Sequence, residues 1–265
     1  MVVRAPFAIV CVALGGCLAT ADLSGLSTPP STLDASGDAA DGGGSSTNEG
    51  GGPPDATPGD ADVGLGPTFF DDFSRPDGPV GNGWVEKTND VFTLVGGRLV
   101  VKDCDYRDSF LRRPVDEAAR DVESSVEFIY RVSAPTNDPA VALRIQAETL
   151  STPRAFKAYG IFVDDGQSLT ISRQDGDTFA TLAKQPFAEP LARNSTYRLK
   201  ASIRGAPPQL TGVVERLDGA TWTEIARGAF TDTSNRRIDE AGLIGLQGDD
   251  TVSFDYDNFE YTRLD

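Results

Sequence analysis

The sequence predicts an all-β fold for residues 67–265, in which two antiparallel sheets pack as a sandwich or jelly roll. Three observations support this prediction: segments of alternating apolar and polar residues, turn signals between these segments, and a helical pattern in only one short stretch, 115–121. Many short strands without interleaved helices are typical of this architecture. A block of this length buries about 70 % of its unfolded surface and needs no disulfide.

The alternation identifies individual strands. In the segment 197–204 the odd positions are apolar and the even ones are polar or charged. Such period-2 patterns are typical of half-buried strands. The segment 122–132 places Glu123, Glu127 and Arg131 opposite an apolar face formed by Val126, Phe128, Tyr130 and Val132. The segment 141–148 alternates in the same way, with Arg144 and Gln146 on its polar side.

Turn residues separate the strands. Hairpin turns need residues that tolerate positive φ, which Gly, Asp and Asn do. Candidate turns are Gly96-Gly97, Asp164-Asp165-Gly166, Asp175-Gly176-Asp177 and Asp218-Gly219.

The N-terminus predicts an exported protein. Arg4 precedes the apolar run 5–14, which is too short to span a bilayer. The run ends in Leu14-Gly15-Gly16-Cys17. This motif resembles the lipobox of bacterial lipoproteins, which implies a signal peptide over 1–16, lipidation of Cys17 and anchoring in the bacterial cell envelope. Leu18 replaces the aspartate that is typical of inner-membrane retention, so the resemblance implies the outer membrane. An ordinary secretory signal is the alternative.

Residues 17–66 are predicted to form a disordered, acidic tether. Gly, Ser, Pro and Asp dominate this stretch, no aromatic occurs between Phe7 and Phe69, and no Lys or Arg occurs between Arg4 and Arg75. A segment with so little apolar surface to bury cannot offset the entropy lost on ordering.

Composition excludes several functions. The chain has no histidine, which excludes Ser-His-Asp and Cys-His nucleophiles and imidazole metal sites. Its net charge of −16, without a basic patch, argues against nucleic acid as a partner.

The opening and closing motifs resemble those of concanavalin A-like (laminin G-like) jelly rolls. These motifs are Phe69-Phe70-Asp71-Asp72-Phe73, Gly83-Trp84, the segment 97–101 and the segments 241–246 and 252–261. The resemblance implies that the first and last strands pair, and that ligands bind on the concave face or at the rim loops. It also implies a structural calcium ion held by Asp72, Gly97 and Asp257, oxygen donors that suit Ca²⁺.

Glycoside hydrolases of this superfamily carry a Glu-x-Asp-x-x-Glu strand motif, which supplies the paired carboxylates of their catalysis. Glu123 and Glu127 share a strand face, but no aspartate lies between them, and no catalytic residue is assigned. The sequence therefore favours a domain that binds carbohydrate or another surface polymer without cleaving it. A hydrolase with an unrecognised carboxylate pair and a protein-contact module are the alternatives. Candidate ligand-binding residues are Glu127, Arg144, Gln146 and Tyr159, predicted to lie on one polar face.

Overall fold

The computed structural model describes residues 68–102, 109–131, 138–151, 156–248 and 254–265. The predicted signal peptide, Cys17 and the whole of the predicted tether lie outside these residues. The described part is all-β, as predicted, and contains no helix that is long and apolar enough to cross a membrane. A single 3-10 turn, Val115–Glu117, occupies the one stretch with a helical pattern.

Fifteen strands form the described part: β1 (Phe69–Asp71), β2 (Val85–Glu86), β3 (Phe92–Val95), β4 (Arg98–Val101), β5 (Phe110–Arg112), β6 (Val122–Tyr130), β7 (Ala140–Ile145), β8 (Phe156–Asp164), β9 (Ser168–Gly176), β10 (Thr178–Pro186), β11 (Thr196–Arg204), β12 (Gln209–Asp218), β13 (Thr221–Thr231), β14 (Leu243–Gln247) and β15 (Phe254–Arg263). A second 3-10 turn spans Ala147–Thr149. The four candidate turns connect β3 to β4, β8 to β9, β9 to β10 and β12 to β13, as predicted.

The strands form two antiparallel sheets. The eight-stranded sheet has the order β13-β12-β11-β6-β15-β4-β3, with β1 pairing to β15 outside this path. The seven-stranded sheet has the order β10-β9-β8-β7-β14-β5-β2. This arrangement confirms the predicted two-sheet sandwich.

The first and last strands pair, as the resemblance implied. Phe69 lies opposite Tyr261, and Asp71 lies opposite Phe259. The ring of Phe69 packs edge-on against Trp84 at a centroid distance of 5.7 Å, and Trp84 packs against Phe259 at 5.0 Å. These aromatic contacts hold β1 and the segment that contains Trp84 against the last strand.

The main core lies between the two sheets. In β6, Val126, Phe128 and Tyr130 are fully buried, as their alternation predicted. Val132, the fourth residue of that predicted face, lies outside the described residues. From the opposite sheet, Ile161 of β8 and Ile171 of β9 point into the same core, so the neighbouring residues of both strands face outward from the seven-stranded sheet.

Candidate functional site

A cleft of about 290 Å³ lies on the outer face of the seven-stranded sheet. Gly160 and Phe162 of β8 and Ser172 and Gln174 of β9 line this cleft. They alternate along their strands with residues that point into the core, such as Ile161 and Ile171. The full lining comprises Asp138, Ala140, Phe156, Gly160, Phe162, Asp164, Ser172, Gln174, Phe179, Thr181, Gln247 and Gly248.

Small side chains leave room for the cleft in the middle of the sheet. Gly160 of β8 lies opposite Ser172 of β9, and in the adjacent row Phe162 lies between Ala140 of β7 and Thr170 of β9. A Cβ atom added to Gly160 would lie 2.9 Å from Ser172 Oγ. A side chain at position 160 would therefore force the Ser172 hydroxyl to move.

Three phenylalanines line the cleft. Phe162 packs against Phe179 with a ring-centroid distance of 6.2 Å, and Phe156 packs edge-on against Phe110 at 4.3 Å. Phe179 lies on the edge strand β10 and is 46 % exposed, whereas Phe156 is buried. An exposed aromatic ring next to a floor of small residues is a surface on which the apolar face of a sugar ring can pack.

Gln174 contributes a buried amide to the wall of the cleft. The residue is 3 % exposed, and its Nε2 donates a hydrogen bond to the backbone oxygen of Gly176. Its Oε1 is buried and accepts no hydrogen bond from the described residues. Phe179 is the direct neighbour of Gln174 across the β9–β10 pair. A buried acceptor without a donor costs about 1–3 kcal/mol, so Oε1 favours a ligand that donates a hydrogen bond to it.

Carboxylates gather at the β8–β9 turn, next to the cleft. Asp138, Asp164 and Asp165 each offer one oxygen, and these three oxygens lie within 4.8 Å of one another. The Asp165 backbone N–H donates to Asp138 Oδ1 at 2.9 Å. Lys184 of β10 forms an ion pair with Asp164, which raises the pKa of the Lys184 ammonium.

The four predicted ligand-binding residues do not share one polar face, which corrects that expectation. Glu127 lies on β6 in the eight-stranded sheet, whereas the other three belong to the seven-stranded sheet or its margin. Glu127 Oε2 accepts a hydrogen bond from Asn258 Nδ2 at 3.0 Å.

Arg144 departs from the predicted alternation because β7 carries a bulge there. Between the pairs Ala142–Gly245 and Ile145–Leu243, β7 has one residue more than β14. Arg144 lies in this bulge and has a φ of +49°. Its guanidinium is fully buried and donates to the backbone oxygens of three segments, at Arg120 (2.8 Å), Ile238 (2.7 Å) and Gly205 (2.9 Å). Arg144 therefore ties loops together and presents no surface to a ligand.

Gln146 and Tyr159 are also engaged inside the protein. Gln146 is buried and its Nε2 donates to the backbone oxygen of Arg144 at 3.0 Å. The fully buried Tyr159 hydroxyl donates to Asp232 Oδ2 at 2.9 Å and accepts from the Ile238 N–H at 3.0 Å. Burial and the nearby Asp232 charge raise the pKa of Tyr159.

Replacing Tyr159 with phenylalanine is expected to lower the free energy of unfolding by about 1–3 kcal/mol, because the buried Ile238 N–H loses its acceptor. Denaturant unfolding measures this loss. Glycan affinity is expected to stay unchanged because the residue has no exposed surface. A weaker glycan affinity with unchanged stability would restore Tyr159 as a ligand-binding residue.

Two of the three residues of the predicted calcium site, Asp72 and Asp257, are engaged within the chain. Asp257 lies 3.1 Å from Arg98 Nη1, and Asp72 Oδ1 accepts from the Ser74 N–H. Burial raises the pKa of Asp257, as do the charges of Glu127 and Asp72, and the Arg98 charge offsets this only in part. A cation at Asp72, Gly97 and Asp257 would have to compete with Arg98, so these donors fit calcium poorly. The calcium ion stays a prediction, which a comparison of Tm with and without chelator would test.

The sequence matches no protein-family model and no curated protein. Among solved structures, the fold is similar to that of a xylan β-1,4-xylosidase from Bacillus halodurans C-125, with a TM-score of 0.50 and 16 % identity over 73 % of this chain. The match covers 39 % of the xylosidase chain. At this identity the likeness shows the fold alone.

Carbohydrate-binding module CBM66 from Bacillus subtilis is also similar, with a TM-score of 0.44 and 12 % identity over 68 % of this chain and 94 % of that module. A TM-score of this size carries no argument about function. The structures that resemble this chain thus include a glycoside hydrolase and a carbohydrate-binding module.

Sequence reasoning missed the residues that form the cleft. A signal for them was present in β8, where Phe156, Ala158 and Phe162 make the outward positions apolar while Tyr159, Ile161 and Val163 make the inward ones apolar. A strand that is apolar on both faces has a second face to cover. The chain itself covers part of this face, because Phe156 and Ala158 belong to a second buried cluster with Phe110, Ala142, Ile145 and Leu243. Of the outward apolar residues of β8, only Phe162 extends toward the exposed Phe179 ring.

Proposed function

We propose that the domain binds glycans in the cleft on the outer face of the seven-stranded sheet. The observation that carries this proposal is the combination, in one cleft, of an exposed Phe179 ring with the buried Gln174 Oε1, which accepts no hydrogen bond within the described part of the chain. Sugars offer both complementary features, because one face of the ring presents C–H groups and its edge presents hydroxyl donors. The fold likeness to a glycosidase is compatible with this function but does not establish it.

A panel of soluble oligosaccharides tests the proposal directly. The full chain with Cys17→Ser, which keeps the predicted tether but not the lipid, is titrated with each oligosaccharide by calorimetry. Binding of at least one glycan without release of new reducing ends is the expected result. Release of reducing ends would favour the hydrolase alternative, with Asp138 and Asp164 as the carboxylates to replace first. Absence of binding across the panel would favour a protein-contact module.

We further propose that lipid on Cys17 anchors the protein in the bacterial cell envelope, at the outer membrane. The support is the Leu14-Gly15-Gly16-Cys17 motif after the apolar run. A single acyl chain gives marginal anchoring, whereas several chains at about 0.8 kcal/mol per buried CH₂ hold a protein stably. The acidic tether would then separate the domain from an anionic surface.

Labelled palmitate is expected to enter the protein in a bacterial host through Cys17, and Cys17→Ser is expected to abolish the label. Cys11→Ser is the matched control, because Cys11 lies within the predicted signal peptide and its loss should leave labelling unchanged. Label that persists in Cys17→Ser would contradict the anchor.

A further inference from the structure

We propose that the cleft prefers glycans whose sugars carry an N-acetylamino group over otherwise identical glycans with a hydroxyl or a free amine at that position. This inference rests on the proposed glycan binding and assigns recognition of the acetamido group to Gln174 and the rings beside it. An acetamido group places an N–H donor close to a methyl group. The part of the cleft around Gln174 offers a counterpart to each of these two groups.

A hydrogen bond within β9 fixes the orientation of the Gln174 amide. Its Nε2 donates to the backbone oxygen of Gly176, so exchanging the two ends of the amide would bring Oε1 against that oxygen. Oε1 therefore stays an acceptor, and it is buried in a residue that lines the cleft. It accepts no hydrogen bond from the residues that the structure describes, so a ligand N–H that reaches it removes the cost of an unpaired buried acceptor.

Apolar side chains flank Gln174 on both sides. Ala158 of β8 and Phe179 of β10 are its direct neighbours in the two strand pairs. The exposed Phe179 ring also packs against Phe162, which lines the same cleft. A methyl group that lies next to the donated N–H would therefore contact carbon, where a second polar group would lose its hydrogen bonds to water.

A hydroxyl or an ammonium group suits this part of the cleft less well. A hydroxyl that donates to Oε1 also has lone pairs that need donors, and an ammonium brings three donors to one acceptor. The two lining groups Ser172 Oγ and Gln174 Nε2 already donate to the backbone oxygens of Gly160 and Gly176. An amide N–H needs only the one acceptor. The acetamido oxygen can accept from the hydroxyl of the exposed Thr181, which lines the cleft opposite Ser172.

Three β-1,4-linked hexamers that differ only at carbon 2 test this preference: those of N-acetylglucosamine, glucosamine and glucose. The full chain with Cys17→Ser is titrated with each by calorimetry in about 1 M salt. The Debye length is then about 3 Å, so the net charge of the chain contributes little to the binding of the glucosamine hexamer. The N-acetylglucosamine hexamer is expected to bind about tenfold more tightly than either of the others.

A substitution at Gln174 tests which residue recognises the acetamido group. Gln174→Met removes both polar atoms of the amide and keeps the length of the side chain. It is expected to weaken binding of the N-acetylglucosamine hexamer about tenfold and binding of the glucose hexamer less than threefold. Gln185→Met is the matched control, because Gln185 of β10 lies outside the lining of the cleft and its Nε2 also donates to a backbone oxygen, that of Pro186. This control is expected to bind all three hexamers like the parent.

Three results would overturn the inference while the proposed function stands. One is binding of the glucose or the glucosamine hexamer that equals or exceeds that of the N-acetylglucosamine hexamer. Another is an equal loss of affinity for the N-acetylglucosamine and glucose hexamers in Gln174→Met. The third is that none of the three hexamers binds although another glycan does. If no glycan binds at all, the proposed function fails as well. The comparison of the hexamers keeps Gln174, so it decides the inference even if Gln174→Met does not fold.

Discussion

Replacing Phe179 with alanine is expected to weaken glycan binding about tenfold and to leave the fold intact. The ring is 46 % exposed and lies on the edge strand β10, so its removal leaves no cavity in the core between the sheets. Losing half of a phenylalanine contact with a ligand costs roughly 1–2 kcal/mol, and about 1.4 kcal/mol corresponds to tenfold in Kd. Calorimetric titration of the tightest-binding oligosaccharide measures the change.

Phe70→Ala provides the matched control for Phe179→Ala. Phe70 is 51 % exposed and lies on β1, which pairs with β15 in the other sheet. Its removal takes away a similar exposed ring on the other sheet, so glycan affinity is expected to stay within error of the parent. Equal losses in the two variants would show that exposed rings bind the glycan nonspecifically. An unchanged affinity in Phe179→Ala would show that the glycan does not bind in the cleft.

Replacing Asp71 with asparagine is expected to lower the free energy of unfolding by about 3–5 kcal/mol. The Asp71 carboxylate is 2 % exposed and accepts five hydrogen bonds, two of them from Arg75 at 2.6 and 3.1 Å. The other three come from Phe73 N (2.8 Å), Asn82 Nδ2 (3.0 Å) and Trp84 Nε1 (2.7 Å). The NH₂ group of an asparagine amide would face groups that themselves donate hydrogen bonds, and the Arg75 charge would lose its ionic partner.

The effect of Asp71→Asn is expected to depend on pH. Burial raises the pKa of Asp71, but hydrogen bonds from Arg75, Asn82, Trp84 and Phe73 outweigh burial and hold it below its ordinary value. A lowered pKa contributes stability above the unfolded-state pKa, and this stability is lost as pH falls through the folded-state pKa. The stability difference between parent and variant should therefore shrink as the pH falls below about 4, the ordinary pKa of an aspartate.

Denaturant unfolding at several pH values measures this difference. Asp77→Asn is the control in the same loop, because the exposed Asp77 accepts a hydrogen bond from the Gly96 N–H, and an asparagine oxygen can do the same. Its effect is expected to stay within about 0.5 kcal/mol. A difference between parent and Asp71→Asn that grows toward acidic pH would contradict the assignment of Asp71 as an ionised anchor.

The sandwich could be predicted from local signals. Alternation at 197–204 fixes which side chains of β11 are buried, and the Asp-Gly and Gly-Gly turns fix where strands reverse. The pairing of β1 with β15 came from the resemblance of the two ends to a known fold family, because nothing local specifies a contact between residues so far apart in sequence.

Alternation alone gives neither the positions of the predicted ligand-binding residues nor the complete lining of the cleft. The bulge at Arg144 reverses the expected direction of one side chain and buries a charge that the pattern placed on a polar face. The sequence places Tyr159 on that polar face, but in the structure the pairing of β8 with its neighbours turns Tyr159 into the core. The contact of Phe179 with Phe162 depends on the register between β8, β9 and β10, which the sequence does not specify.

Mapping a bound glycan onto the domain by NMR tests the central claim most directly. Isotope-labelled Cys17→Ser protein is titrated with the tightest-binding oligosaccharide, and amide shifts are followed residue by residue. We expect the largest shifts at Gly160, Ser172, Gln174 and Phe179, on the outer face of the seven-stranded sheet. Shifts confined to the outer face of the eight-stranded sheet, around Lys200 and Arg227, would contradict the account.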